Sequence, residues 1–174
     1  FKDLTLKDLN NKKYDFIITP ETYFSEGYGE NIDFFEYTKL YDSLNSYLSQ
    51  FENTNLISGI QFYKLYQNQD KKPTKSANYV RDNLWIDYYN SSINLSSNKK
   101  FEFNHKSKLV VGSEYMPFKS ILEPIIGTVM VDLGGSTVSK GTQYKSDRVL
   151  FRHSLKDLKT IPIVCYETIY GEYV

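Results

Sequence analysis

Segment 32–52 constrains the fold more than any other part of the sequence. Apolar side chains recur in it at three- and four-residue spacing, which predicts an amphipathic helix with one apolar stripe. The stripe comprises Phe34, Tyr37, Tyr41, Leu44, Leu48 and Phe51. Such a helix has to bury its stripe against another element. The apolar runs 14–19 and 55–63, which flank it, are predicted strands that supply this partner.

The remainder of the chain is predicted to be mostly strand. A polar, Lys-rich loop over 67–78 precedes further apolar runs, a short helix is predicted at 118–126, and Gly134 and Gly135 indicate a loop. The additional strands are predicted at 83–90, at 92–96, from 101 onwards, at 147–152 and at 161–166, the last two joined by a turn around Lys156 and Asp157. One strand, one helix and then a series of strands predict an α+β or αββα layered domain.

Composition narrows the class of protein. A chain of 174 residues with 40% hydrophobic residues is long enough for one domain with a core. No apolar run approaches the roughly 20 residues of a membrane-spanning helix. The 21 Lys and Arg residues balance the 21 Asp and Glu residues, so no basic surface favours nucleic acid as a partner. One cysteine and two distant histidines predict no zinc site, and no metal or cofactor is expected.

Cys165 carries the most reactive side chain of the sequence. It follows the apolar run Ile-Pro-Ile-Val, so we expect it at the end of a buried strand. A thiol in that position is typical of a core residue, whereas a nucleophile needs a nearby positive charge and a base to take its proton. The residues around Cys165 leave both interpretations open.

Three side chains are candidates for the base. His105 adjoins Lys106, whereas His153 lies in a polar stretch and is expected at the surface. Glu21 follows Pro20 at the end of the first predicted strand, where a local environment that raises its pKa would make it an effective base. A neighbouring lysine would stabilise a developing oxyanion. Spacing alone does not choose among these residues.

Three segments resemble, in chain order, motifs of the nitrilase superfamily of carbon–nitrogen hydrolases. Ile-Thr-Pro-Glu-Thr at 18–22 resembles the strand that ends in Pro-Glu, segment 105–117 resembles the lysine motif, and Ile-Val-Cys-Tyr-Glu-Thr at 163–168 resembles the nucleophile strand. Within the superfamily, the sequence is most similar to the apolipoprotein N-acyltransferase family. This similarity rests on a second glutamate eight positions after the lysine, on Cys-Tyr-Glu, and on Tyr-Gly-Glu-Tyr-Val at 170–174.

The resemblance implies a catalytic set of three residues. Glu21 would be the general base that deprotonates the nucleophile Cys165. Lys106 would stabilise the tetrahedral oxyanion. Lys108 is the rival for this role, and Lys106 is preferred because it precedes Leu109 by three positions, as in the family pattern.

Three further residues are implied to support that set. Glu114 would support the lysine and the base. The backbone N–H of Tyr166 would assist the oxyanion, and the side chains of Tyr166 and Glu167 would shape an acyl pocket. Val111 departs from the pattern, because the family usually has proline at this position.

The resemblance also implies a reaction and a location. A phospholipid would donate an acyl chain to Cys165 as a thioester, and the N-terminal amine of a diacylglyceryl-apolipoprotein would then accept it. The expected architecture is an αββα sandwich of the nitrilase type over 1–174, incomplete at both ends. Membrane helices outside this chain would place the domain on the periplasmic side of a bacterial inner membrane. The alternatives are a soluble nitrilase-type amidase and a catalytically inactive domain that binds lipid or lipoprotein.

Overall fold

Six strands form one mixed sheet in the computed structural model, which describes residues 13–97, 99–110, 114, 141 and 149–171. The predicted α+β class is confirmed, because strands predominate and few helices accompany them. The elements in chain order are β1 (Phe16–Ile18), β2 (Glu30–Asn31), a first 3-10 helix (Ile32–Tyr37), α1 (Lys39–Leu48), β3 (Asn55–Gln67), β4 (Asn78–Arg81), β5 (Leu84–Ser96), β6 (Lys99–His105), β7 (Phe151–Arg152), β8 (Lys159–Thr160) and a second 3-10 helix (Cys165–Ile169).

The long strands β3 and β5 form the centre of the sheet. They pair antiparallel from Leu56 opposite Leu95 to Gln67 opposite Leu84. The short strands β1 and β2 lie parallel to β3, and β4 and β6 lie antiparallel to β5. The helical segment between β1 and β3 provides the crossover that a parallel pair requires.

One face of the sheet is apolar and packs against the helices. Leu44, Tyr47 and Leu48 of α1 bury against Leu56 and Leu95. A second cluster joins the first 3-10 helix to the same face, through Phe35, Ile60, Phe62 and Ile93. Burial of these side chains holds the helices on the sheet, since each contributes about 1.5–3 kcal/mol relative to exposure.

The predicted helix 32–52 is divided at Thr38. The predicted apolar stripe is therefore only partly confirmed. The hydroxyl of Thr38 accepts a hydrogen bond from the backbone N–H of Tyr41 and caps the start of α1. The preceding turns are 3-10, with fewer residues per turn, so their facing residues change. Phe35 is buried there, whereas Phe34 and Tyr37 are exposed.

The opposite face of the sheet is polar but buried. Because side chains alternate along a strand, this face carries the residues between those of the apolar core. Its buried members include Asn90, Ser92, Asn94, Asn104 and Lys106. The β7–β8 hairpin lies against part of it: the amide of Asn94 donates to the carbonyl of Arg152, and Asn55 accepts from the Ser154 hydroxyl.

A hairpin forms around the predicted turn at Lys156 and Asp157, with β7 at the end of the predicted strand 147–152, but the strand predicted at 161–166 is wrong, because β8 precedes it. β8 ends at Thr160, and 161–164 form no regular strand. Pro162 lacks the N–H that a ladder would require. The expected surface position of His153 is wrong, because its buried ring fixes the turn of this hairpin by accepting from the N–H groups of Leu155 and Lys156.

Other sequence predictions differ in detail. Segment 83–96 forms one strand rather than two, and β4 was not predicted. The predictions at 118–126 and at Gly134 and Gly135 lie outside the described residues. None of the helices in the described ranges is long and apolar enough to cross a bilayer.

Candidate active site

Three separate parts of the fold bring Glu21, Lys106 and Cys165 together. Glu21 lies just after β1, Lys106 lies just after β6, and Cys165 begins the second 3-10 helix. Lys106 Nζ is 3.1 Å from Glu21 Oε1, and Glu21 lines the same cavity as Cys165, where its carboxylate raises the pKa of the thiol. The three residues of the implied catalytic set are therefore neighbours in space.

Glu21 is positioned by a tight contact between its turn and β3. The backbone N–H of Gly59 donates to the carbonyl of Pro20 at 3.2 Å. A Cβ at position 59 would lie 2.4 Å from the backbone nitrogen of Thr22, so only glycine fits there. Thr22 itself has φ +51°, an unusual conformation for a β-branched residue. Neither constraint leaves a recognisable pattern in the sequence.

Lys106 is buried between two carboxylates. Its backbone N–H donates to the carbonyl of Asn90 at 2.8 Å, which extends the pairing of β6 with β5. Its Nζ lies 2.9 Å from Glu114 Oε2 as well as 3.1 Å from Glu21. Only 1% of the lysine side chain is exposed, so both ion pairs form largely away from water. Glu114 thus contacts the lysine, as the resemblance implied.

Asn90 completes this cluster and was missed by the sequence analysis. Its Nδ2 donates to Glu21 Oε1 at 2.5 Å and to Glu114 Oε1 at 3.0 Å. The other oxygen of Glu114 accepts from the backbone N–H of Val110 at 3.0 Å. Asparagine is common in turns and at the surface, so only its inward position on β5 distinguishes it.

Cys165 does not end a strand, contrary to the sequence prediction. It begins the second 3-10 helix with φ +51° and is exposed. The core-thiol interpretation is therefore wrong. A non-glycine residue at positive φ is strained, and such residues are frequent at functional sites. This conformation also lets the backbone N–H of Tyr166 interact with the cysteine sulfur.

The pKa shifts describe the resting charges. Burial would raise the pKa of Glu21, but hydrogen bonds from Asn90, Cys165 and Lys106 outweigh it and lower the pKa. The bond to Glu21, together with burial, raises the pKa of the Cys165 thiol. Burial would lower the pKa of Lys106, but Glu114 and Glu21 raise it. The site therefore rests as a neutral thiol beside an ionised carboxylate and a charged lysine.

Glu167 has a different position from the pocket lining that was expected. Its carboxylate is fully buried and holds two loops together. One oxygen accepts from the N–H and the hydroxyl of Ser107 and from the N–H of Lys108, and the other accepts from the N–H of Val164. Glu167 thus links the loop after Lys106 to the turn that carries Cys165. Tyr166, by contrast, is partly exposed beside the cysteine.

The rival candidates for base and lysine have other contacts. The His105 ring stacks on Tyr89 at 4.2 Å, and its Nδ1 lies 2.6 Å from the Ser91 hydroxyl. Burial, with a contribution from Lys64, lowers the pKa of His105 to about 4. Lys108 Nζ lies over the ring of Tyr170, 5.1 Å from its centroid. Lys106, and not Lys108, contacts the two carboxylates.

A cavity of about 250 Å³ opens beside Cys165 and Glu21. Its wall mixes aliphatic with polar side chains and is formed by the end of β1, the early part of β3, the middle of β5 and the segment that leads to the cysteine. The aliphatic members are Ile18, Ile57, Ile161, Ile163 and Val164. Ile18 and Ile161 are exposed, so the apolar wall continues to the surface. In the described ranges, no group of three or more His, Cys, Asp or Glu residues is arranged to hold a metal ion.

Comparison with known proteins gives one partial similarity. No family model matches the chain. Over 95 residues the chain is 35% identical to the apolipoprotein N-acyltransferase of Wigglesworthia glossinidia brevipalpis. The match covers 50% of this chain and only 17% of that protein, so the chain is similar to a small part of it.

Proposed function

We propose that this chain is part of an N-acyltransferase. The enzyme would move a fatty acyl chain from a phospholipid, through a thioester on Cys165, to the N-terminal amine of a diacylglyceryl-apolipoprotein. The observation that carries the proposal is that Cys165 and Glu21 line one cavity and that the Glu21 carboxylate is also paired with Lys106. The partial similarity to an apolipoprotein N-acyltransferase supports the choice of reaction.

In the first step, Glu21 takes the thiol proton as the Cys165 sulfur attacks the ester carbonyl of the phospholipid. A C–S bond forms, and the carbonyl electron pair moves to oxygen. Lys106 and the backbone N–H of Tyr166 stabilise this oxyanion. The intermediate collapses, the C–O bond breaks, and the proton on Glu21 passes to the leaving alkoxide of the lysophospholipid.

In the second step, the acceptor amine attacks the thioester. Glu21 accepts a proton from the amine while a C–N bond forms. The C–S bond then breaks, and the proton returns to the sulfur of Cys165. A raised thiol pKa suits this cycle, because the cysteine is neutral between reactions and becomes charged only while Glu21 removes its proton.

The aliphatic side of the cavity supports a lipid substrate. Its isoleucine wall lies beside the sulfur and reaches the surface at Ile18 and Ile161. A fatty acyl chain bound there would be shielded from water next to the nucleophile.

The broader setting forms part of the same proposal. The chain would be a segment of a carbon–nitrogen hydrolase domain of the αββα type. Membrane helices outside the chain would anchor that domain on the periplasmic side of a bacterial inner membrane. Phospholipid and apolipoprotein would then reach Cys165 at the same membrane surface.

A transfer assay tests this function. The full-length protein is incubated with phosphatidylethanolamine and a synthetic peptide that begins with diacylglyceryl-cysteine, and the peptide mass is followed. We expect one acyl chain to be added to the peptide. A peptide with an acetylated N-terminus is the matched control and should gain none. Unchanged mass of the free-amine peptide, despite an acyl adduct on Cys165, would contradict the proposed acceptor.

A further inference from the structure

We propose that Asn90 is a positioning residue for the acyl transfer: its side-chain amide bridges Glu21 and Glu114 and holds the Glu21 carboxylate in the cavity that Cys165 lines. The role rests on the function proposed above, because it matters only if Glu21 is the base. Asn90 belongs to none of the three motif segments. It reaches the cluster because it lies on β5, facing the polar side of the sheet.

The geometry of the amide is specific to the two carboxylates. Nδ2 of Asn90 lies 2.5 Å from Glu21 Oε1 and 3.0 Å from Glu114 Oε1. Both bonds are charge-assisted, and hydrogen bonds of this type are stronger than those between neutral groups. A single buried nitrogen therefore fixes the positions of two carboxylates that otherwise share only Lys106.

The amide oxygen of Asn90 indicates that the two bonds from Nδ2 to Glu21 and Glu114 determine the orientation of the amide. Asn90 is 1% exposed, and its Oδ1 has no hydrogen-bond partner among the residues that the structure describes. An unpaired buried acceptor destabilises a fold. Rotating the amide by half a turn would place this oxygen against two negative carboxylates, which is worse. The amide thus gives up one hydrogen bond in order to donate to Glu21 and Glu114.

The charges around Glu21 explain what this donor achieves. The titratable groups that face Glu21 are Lys106, Glu114 and Cys165. Burial favours the protonated form of both Glu21 and Glu114. Hydrogen bonds from Asn90 lower the pKa of Glu21 and also that of Glu114. A protonated Glu21 cannot accept the thiol proton, so loss of Asn90 would remove active enzyme at the acidic end of the pH range.

Asn94 provides a matched control on the same strand. It is also buried on the polar face of β5, and its amide also donates to a carboxylate, that of Glu102 at 2.7 Å. Among the described residues its side chain bonds Asn55, Glu102 and Arg152, and it contacts neither Glu21 nor Lys106. Substitution of Asn94 therefore removes a buried amide and a similar charge-assisted bond without removing a donor to Glu21 or Glu114.

The test measures pH dependence rather than activity at one pH. Acylation of Cys165 by p-nitrophenyl butyrate is followed by intact mass spectrometry in the full-length protein. The variants are Asn90→Ala, Asn90→Leu, which fills the volume if alanine fails to fold, and the corresponding Asn94 substitutions. Titration of the Glu21 side-chain carboxyl by carbon-13 NMR, assigned with Glu21→Gln, gives a readout that needs no acyl transfer.

In both Asn90 variants, we expect the midpoint of the acidic limb of the pH–rate profile for acylation to rise by about one pH unit. The midpoint of the Glu21 carboxyl titration should rise by the same amount. At a pH below the midpoint this shift lowers the rate about tenfold. The Asn94 variants should keep the wild-type midpoint. The positioning role is wrong if the Asn90 variants lower the rate equally at every pH, or if the Glu21 titration does not move. Absence of any acyl adduct on wild-type Cys165 would instead refute the proposed function, while the NMR titration would still decide the role of Asn90.

Discussion

Lys106 and Glu21 form an ion pair of 3.1 Å although 85 positions separate them in the chain. The pair joins the end of β6 to the turn after β1, across the polar face of the sheet. Because Lys106 is nearly inaccessible to water, this contact and its partner bond to Glu114 hold the cluster that faces Cys165.

Replacing Lys106 with methionine should remove both the oxyanion partner and the cation between two carboxylates. We expect acyl-thioester formation to fall about 100-fold or more. The free energy of unfolding should fall by about 3 kcal/mol, since breaking a buried pair leaves uncompensated charge. Lys108→Met is the control and should lower stability by less, because Lys108 Nζ lies over the Tyr170 ring rather than between two carboxylates. A larger loss of acylation in Lys108→Met would reverse the choice of lysine.

Replacing Glu21 with glutamine should separate thiol reactivity from catalysis. The hydrogen bond and negative charge of Glu21 raise the pKa of the Cys165 thiol, whereas Lys106 lowers it. Without the carboxylate, the thiol pKa should fall, and iodoacetamide should modify Cys165 faster than in wild type at about pH 8. Acyl-thioester formation should nevertheless be lost, because no base remains. Parallel changes in the two rates would show that Glu21 is not the base.

Replacing Gly59 with alanine should displace the turn that carries Glu21. The added Cβ would lie 2.4 Å from the nitrogen of Thr22 and 2.5 Å from the carbonyl oxygen of Pro20, so the backbone has to move. We expect a loss of about 2 kcal/mol in stability and a fall in acylation. Gly171→Ala, where a Cβ meets none of the described residues within 4 Å, should leave both unchanged. Urea unfolding and intact mass spectrometry measure the two effects.

Replacing Glu167 with glutamine should weaken the link between the lysine loop and the cysteine turn. The new amide NH₂ would face the N–H groups of Ser107 and Lys108 or that of Val164, so at least one buried donor loses its acceptor. We expect a loss of about 2–3 kcal/mol in unfolding free energy. Thr168→Val, which removes one exposed bond from the same 3-10 helix, should change it by less than about 1 kcal/mol. Equal losses in both variants would contradict the role assigned to Glu167.

The regular elements were predictable where one periodicity extended over many residues. The apolar runs of β1, β3 and β5 and the helix around Leu44 and Leu48 follow from side-chain spacing alone. The break at Thr38 was not predictable from the sequence. A helix cap changes which residues face the core without changing the apolar composition of the segment. The strand predicted at 161–166 does not form for a similarly local reason, the missing N–H of Pro162.

The members of the candidate site divide in the same way. Glu21, Lys106, Glu114 and Cys165 were selected by the order of three motifs, and the structure places them together; their catalytic roles remain predictions. Gly59 and Asn90 could not be selected, since their importance comes from what lies opposite them across the sheet. Tertiary contacts of this kind leave no local pattern in the sequence.

Acylation of Cys165 tests the central claim most directly. Intact mass spectrometry of the full-length protein after incubation with phosphatidylethanolamine detects the thioester, and the Cys165→Ala variant assigns it to the one cysteine of this chain. We predict a mass increase of one acyl chain that neutral hydroxylamine removes and that Cys165→Ala abolishes. An unmodified wild-type protein, or an adduct of equal size in Cys165→Ala, would contradict the account.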